Sequence, residues 1–99
     1  MELHIFARLY AREGQETDVI VAMREVAVPT REEPGCLSVH YYRSIRDPRL
    51  FYIQSRWTDE AAFDRHAALP HTERFVEQVE KAIEHPLEAT RTQPIDGIG

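Results

Sequence analysis

From Leu3 to Ala11 the side chains alternate, with Leu3, Ile5, Ala7 and Leu9 on one side and His4, Phe6, Arg8 and Tyr10 on the other. A period of two predicts a strand, and because neither side is fully polar, both faces are expected to be partly covered. Arg12-Glu13-Gly14-Gln15 supplies a turn. From Glu16 the period changes: Val19, Ala22, Met23, Val26 and Ala27 fall at helical spacing while Arg24 and Glu25 lie off that stripe. Pro29 is expected to end or kink this helix, and Pro34-Gly35 closes the connection.

Leu37, Val39 and Tyr41 then alternate with Ser38, His40 and Tyr42. After a hairpin loop at Arg46-Asp47-Pro48-Arg49, a return strand from Leu50 to Trp57 places Phe51, Ile53, Ser55 and Trp57 on one face and Tyr52, Gln54 and Arg56 on the other. Thr58 is the expected N-cap of a short helix, with Asp59 and Glu60 adding negative charge to its first turn. Phe63, His66 and Ala67 share a face of that helix before Leu69-Pro70 breaks it. Pro70 suits the first turn of a further helix, whose buried stripe is Thr72, Phe75, Val76, Val79 and Ile83 and which His85-Pro86 stops. Residues 87–93 alternate as a last strand, and 94–99 read as a tail.

The order is β-α-β-β-α-β with the second helix broken in two. Those connections predict an α+β, ferredoxin-like fold: a four-stranded antiparallel sheet with helices on one face. Period-2 counting puts Phe6, Tyr10, His40, Tyr42 and Tyr52 on the other face, so a second subunit is expected to cover it.

Composition narrows the picture. The 99 residues suffice for one domain, with a core over about residues 3–93. Their formal net charge of −5, with no basic run, argues against nucleic acid or an anionic membrane as partner. No apolar stretch approaches the ~20 residues of a membrane helix. No basic-then-apolar leader opens the chain, and Cys36 stands alone, so a reducing, cytoplasmic setting is expected.

Two stretches carry a family resemblance. Glu33-Pro34-Gly35-Cys36-Leu37, then Trp57 at a strand end, then Asp59-Glu60-Ala61-Ala62-Phe63-Asp64-Arg65-His66 followed by Leu69-Pro70-His71, together resemble the antibiotic biosynthesis monooxygenase family. The resemblance runs from about Leu3 to Gln93. It implies a dimeric α/β barrel, a relation to cofactor-independent quinol oxygenases and to haem-degrading proteins, and a site between sheet and helices in each subunit. Its wall positions fall on Ala7, Trp57, His66 and His71. Many family members carry Glu where this chain has Ser55, and haem-degrading relatives carry an Asn at the position of Ala7, which makes haem degradation the weaker expectation.

Each candidate has a plain structural reading beside the functional one. Trp57 is a core residue packed on Phe63 or a stacking wall for a planar substrate. His66, on the same helical face as Phe63, is a hydrogen-bonded core residue or an acid/base for a phenol proton. His71 opens the next helix and is the alternate acid/base. Tyr41 is core or a donor to a bound oxygen, and Cys36 reads as an inert thiol. His66 and His71 are five apart with no HxxxH or CxxC spacing and no evident carboxylate partner, so no metal is expected. No Gly-rich loop follows a strand, so no flavin, nicotinamide or other cofactor is expected either. The resulting expectation is a homodimeric, cofactor-independent monooxygenase acting with O2 on a small aromatic or quinol-like compound. A haem-binding relative, an isomerase and a non-catalytic binding protein are the alternatives.

Overall fold

The computed structural model describes residues 1–99. The elements in chain order are β1 (Leu3–Tyr10), α1 (Glu16–Glu32), β2 (Cys36–Arg43), β3 (Leu50–Trp57), α2 (Glu60–Ala67), α3 (Pro70–Glu80) and β4 (Glu88–Thr92). The strands form one sheet in the order β2-β3-β1-β4, every neighbouring pair antiparallel. This is the ferredoxin-like arrangement expected from the alternation, with all helices on one face.

Register decides which side chains meet there. Ala7 of β1 lies opposite Ile53 of β3 and Ala89 of β4, and Tyr41 of β2 also pairs with Ile53. Cys36 and Leu3 flank Trp57. The register shifts between Cys36 and Ser38, and Leu37 at that irregularity is exposed rather than inward like Val39. The main core is built on Leu9, Val19, Met23, Phe51, Phe75 and Val79. A smaller cluster of Leu3, Ile5, Trp57 and Ala62 sits at the α2 end of the sheet.

Three local expectations change. The first helix does not end at Pro29 but runs through it to Glu32. A proline inside a helix removes the hydrogen bond to the carbonyl four residues back. Here that carbonyl belongs to Glu25, which is exposed and open to water, while Val26, Ala27 and Thr30 on the opposite side are buried and keep the helix against the sheet. The cap of α2 is Asp59, not Thr58: Asp59 Oδ1 accepts the Ala62 N–H at 2.8 Å. Thr58 instead donates its N–H to the Gly35 carbonyl, extending the β2–β3 contact. Finally, α3 stops at Glu80 rather than at His85-Pro86. The end of β1 captures the following residues, with Arg12 N–H donating to the Ala82 carbonyl at 2.8 Å and Glu84 N–H to the Tyr10 carbonyl at 2.9 Å.

Gly35 is the closest approach between the α1–β2 turn and α2. A Cβ there would overlap the Ala62 Cβ and lie 3.4 Å from Thr58 Oγ1. The Gly35→Ala variant is therefore expected to lose about 1–3 kcal/mol of stability by overpacking. Chemical denaturation measures this, and Ala62→Gly in the same chain should recover part of the loss.

Candidate active site

The site begins at the end of α1. Glu33 follows the last helical residue in an extended conformation, its N–H donating to the Thr30 carbonyl. The Glu33–Cys36 turn is closed by Cys36 N–H donating to the Glu33 carbonyl at 3.0 Å. This places the Glu33 side chain under α2 and α3, where only 10% of it is exposed. On α2, Phe63 and His66 are one turn apart and both face Trp57. The His66 ring lies 4.6 Å from the Trp57 ring, and Phe63 meets Trp57 edge-on at 5.6 Å. Pro70 then starts α3 in a new direction, which turns His71 back toward the same carboxylate.

Glu33 Oε2 takes both rings: His66 Nδ1 stands at 2.8 Å and His71 Nε2 at 2.7 Å. A carboxylate only accepts, so each ring donates from the nitrogen that faces it. For His66 this assigns the proton to Nδ1 and leaves Nε2 as a free lone pair. Thr72 Oγ1 lies 3.2 Å from the same Nδ1 and steadies the ring. Burial holds the pKa of His66 below the ordinary histidine value and outweighs the opposing pull of Glu33. The expected absence of a carboxylate partner is thus corrected: Glu33 is that partner, brought in from more than thirty residues away. Glu33, His66 and His71 also offer one ligand atom each within 4.8 Å of one another. The N···O distances are those of charge-assisted hydrogen bonds, so a cation would enter this set only by displacing both ring protons.

Above the sheet, a cavity of about 350 Å³ opens beside this triad. Ala7, Tyr41, Ser55, Trp57, Phe63 and His66 all line it. His71 does not; it stands behind Glu33, at a separate small cleft against Phe75 and Gln78. Trp57 is 1% exposed and its indole N–H donates to Ser55 Oγ at 2.9 Å. Ser55 therefore accepts from the indole and keeps its own O–H proton available. Burial pushes the Tyr41 phenol up to about 12, so it remains a donor through the neutral range. At the rim, Arg91 spans Glu60 and Asp64 and lies over the Phe63 ring at 5.0 Å. A second, more open cavity of about 420 Å³ lies beyond Tyr41, among Arg24, Arg31 and Arg43. It lacks the paired acid and base of the first.

Two members of the site escaped the sequence. Glu33 was visible only as part of a turn motif. Thr30, which lines the cavity and is 2% exposed, falls three and four residues after Ala27 and Val26. Its place on their stripe was the one signal that it faces inward.

The sequence model for antibiotic biosynthesis monooxygenases matches residues 3–78, from β1 through most of α3. The chain belongs to the antibiotic biosynthesis monooxygenase family. Rv0793 of Mycobacterium tuberculosis is 27% identical over 92 residues, covering 93% of this chain and 90% of that protein. Its structure superposes with a TM-score of 0.91 over 100% of both chains. A crystal structure of an antibiotic biosynthesis monooxygenase is 26% identical, with a TM-score of 0.88 over 94% of this chain and 98% of that one. The uncharacterized protein sll1783 of Synechocystis is 25% identical over 84 residues; this chain is matched over 85% of its length but spans only 57% of that protein. In this family member the matched residues include Glu33, His66 and His71, while the β4 rim lies outside the match.

The buried His66 also sets a pH dependence. Its folded-state pKa lies below the unfolded value of about 6.5, so the unfolded chain takes up the proton first as pH falls. Its contribution leaves stability flat above about pH 6.5 and lowers it below that, until the folded pKa is passed. Thermal melting from neutral to acid pH should show this loss, and the His66→Gln variant should melt with a shallower acid slope. An unchanged slope in that variant contradicts the assignment.

Proposed function

We propose that this protein is a cofactor-independent monooxygenase that oxidises a small aromatic, quinol-like compound with O2, using His66 as the acid/base. The observation that carries this reading is the free Nε2 of a histidine anchored through Nδ1 to Glu33, on the wall of an apolar cavity floored by Trp57. Burial keeps His66 neutral and able to accept a proton near pH 7. The Glu33 carboxylate then stabilises the imidazolium that forms, and His71 on the same oxygen fixes where that carboxylate lies.

In this mechanism the substrate lies in the cavity beside His66 and passes its phenolic proton to His66 Nε2. The resulting anion is electron-rich enough to reduce O2 directly, and a C–O bond forms to give a ring peroxide that takes the proton back from His66. The histidine then removes the hydrogen at that carbon as the O–O bond breaks. One oxygen atom remains on the ring as a quinone carbonyl and the other leaves as water. The phenol supplies all four electrons, so no external reductant is needed. Ser55 and Tyr41 line this cavity with O–H donors available for the oxyanion that develops, and its apolar walls strengthen those contacts. Ala7 contributes a methyl group to the floor and no donor, which favours this reading over haem chemistry.

An isomerase would use the same base at carbon without oxygen. Oxygen-electrode traces with a panel of hydroquinones and polyphenols separate the two. The oxygenase should consume O2 above autoxidation, with an acid limb below about pH 6.5, and His66→Ala should reduce kcat at least about 100-fold. Glu33→Gln removes the charge that favours imidazolium, so it should lower kcat and move the acid limb further down. Turnover without O2 consumption would favour the isomerase.

We further propose that the active form is a homodimer joined through the open sheet face, where Phe6, Tyr42 and Tyr52 are 51%, 53% and 41% exposed. Light scattering should give twice the chain mass. A Tyr52→Glu substitution should shift it to the single-chain mass by placing a charge in the apolar contact.

A further inference from the structure

Two features argue against a metal ion along the chain: His66 and His71 lack a metal-binding spacing, and no carboxylate stands beside them. The fold removes both objections. The break at Leu69-Pro70 brings the His71 ring to 6.2 Å from the His66 ring, and the α1–β2 turn delivers Glu33. One carboxylate oxygen and two ring nitrogens end within 4.8 Å of one another.

Direction matters as much as distance. A ring nitrogen donates its hydrogen bond along the direction in which, once deprotonated, it offers its lone pair. His66 Nδ1 at 2.8 Å and His71 Nε2 at 2.7 Å therefore aim at one point, the position of Glu33 Oε2. An ion near that point, with the ~2.0–2.1 Å Zn–N length, needs each ring to advance by about 0.7 Å and the carboxylate to swing back onto it. Thr72 Oγ1, 3.2 Å from His66 Nδ1, or a water completes a tetrahedral set. The carboxylate also lacks a cation. Glu33 is 10% exposed, and its partners are the two rings, with no lysine or arginine paired to it. Buried charges are ordinarily paired or bound to a metal.

Position and donor type narrow the ion. Glu33 and His71 do not line the substrate cavity, so an ion held between them lies behind the His66 ring, away from bound substrate. Its way in is separate too: His71 opens on the small cleft shared with Glu25, Arg74, Phe75 and Gln78. Two imidazoles and one carboxylate suit zinc-like ions rather than magnesium or calcium, which take oxygen ligands.

We propose that Glu33, His66 and His71 form a binding site for a zinc-like divalent ion, and that its occupancy switches off the base. The ring protons rearrange without net loss. On His66 the proton passes from Nδ1 to Nε2, and on His71 from Nε2 to Nδ1, which frees two lone pairs for the ion. His66 then shows the cavity an N–H and accepts no proton. The switch rests on the reading of His66 as the base; the ion site does not.

Cobalt(II) is the probe, because tetrahedral sites give it visible absorption bands. Chelator-treated wild-type protein should develop these bands on titration with Co2+, and Zn2+ should bleach them and raise the melting temperature. His71→Ala and Glu33→Gln should each weaken Co2+ at least about tenfold. Replacing the exposed His85, outside the cluster, by alanine should leave the titration unchanged. Nitrogen-15 NMR of zinc-loaded wild type should find ligation through His66 Nδ1 and His71 Nε2, a readout that needs no variant. Zn2+ should also suppress O2 consumption, and a chelator should restore it. Absence of cobalt bands in wild type overturns the site, as do undiminished bands in folded His71→Ala or ligation through other nitrogens. Cobalt bound at these residues in a protein that oxidises no quinol sinks the oxygenase reading and leaves the site standing. Zinc bound there with full O2 consumption overturns the switch and the role of His66 together.

Discussion

One oxygen atom organises the helical layer of this protein. Glu33 Oε2 is shared by His66 of α2 and His71 of α3, and Glu33 itself ends α1. A carboxylate this buried is tolerated only when its lone pairs are occupied, and two ring N–H groups from two different helices occupy them. The bond that satisfies the carboxylate therefore also sets the angle between α2 and α3 and ties both to the turn entering the sheet. Gly35 serves the same end, since only a residue without Cβ lets that turn lie against Ala62.

From this constraint the chemistry of the cavity follows. With Nδ1 committed to Glu33, the His66 ring presents its other nitrogen, and the aromatic contacts with Trp57 and Phe63 hold its plane. Burial and the carboxylate act on the ring in opposite directions, and burial prevails. The result is a base that is neutral at rest and whose protonated form has a counter-ion waiting. Around it, polar groups fall into two kinds. The Trp57 indole N–H is satisfied by Ser55 Oγ, while the Thr30 hydroxyl is buried without a partner.

Much of this was open to reading from the chain. Alternation and helical spacing identified all four strands and all three helices, because those periods are fixed by backbone geometry within a dozen residues. Trp57, Phe63 and His66 could be placed on one wall because they lie on consecutive elements joined by a short turn. Period-2 counting put Ala7, Tyr41 and Ser55 on the sheet face shared with Leu9, Val39 and Phe51, and the family resemblance marked Ala7 and Ser55 as site positions. Local rules failed where two of them competed. Thr58 and Asp59 are both good caps, and the carbonyl of Gly35 decided between them by taking the Thr58 N–H. Pro29 is a helix breaker whose effect was overridden by the burial of Val26, Ala27 and Thr30 around it.

The pairing of Glu33 with His66 and His71 was beyond such reading. Nothing local distinguishes a carboxylate before Pro-Gly that points to solvent from one that points under two helices. The direction depends on how α2 and α3 pack over the turn. The end of α3 was decided in the same way, by Tyr10 and Arg12 reaching across to residues 82–84. Periodicity settles which face a side chain occupies, because each residue's neighbours along the chain determine it. Which partner waits on that face depends on contacts between distant segments, and those exist only once the sheet and helices have closed on one another.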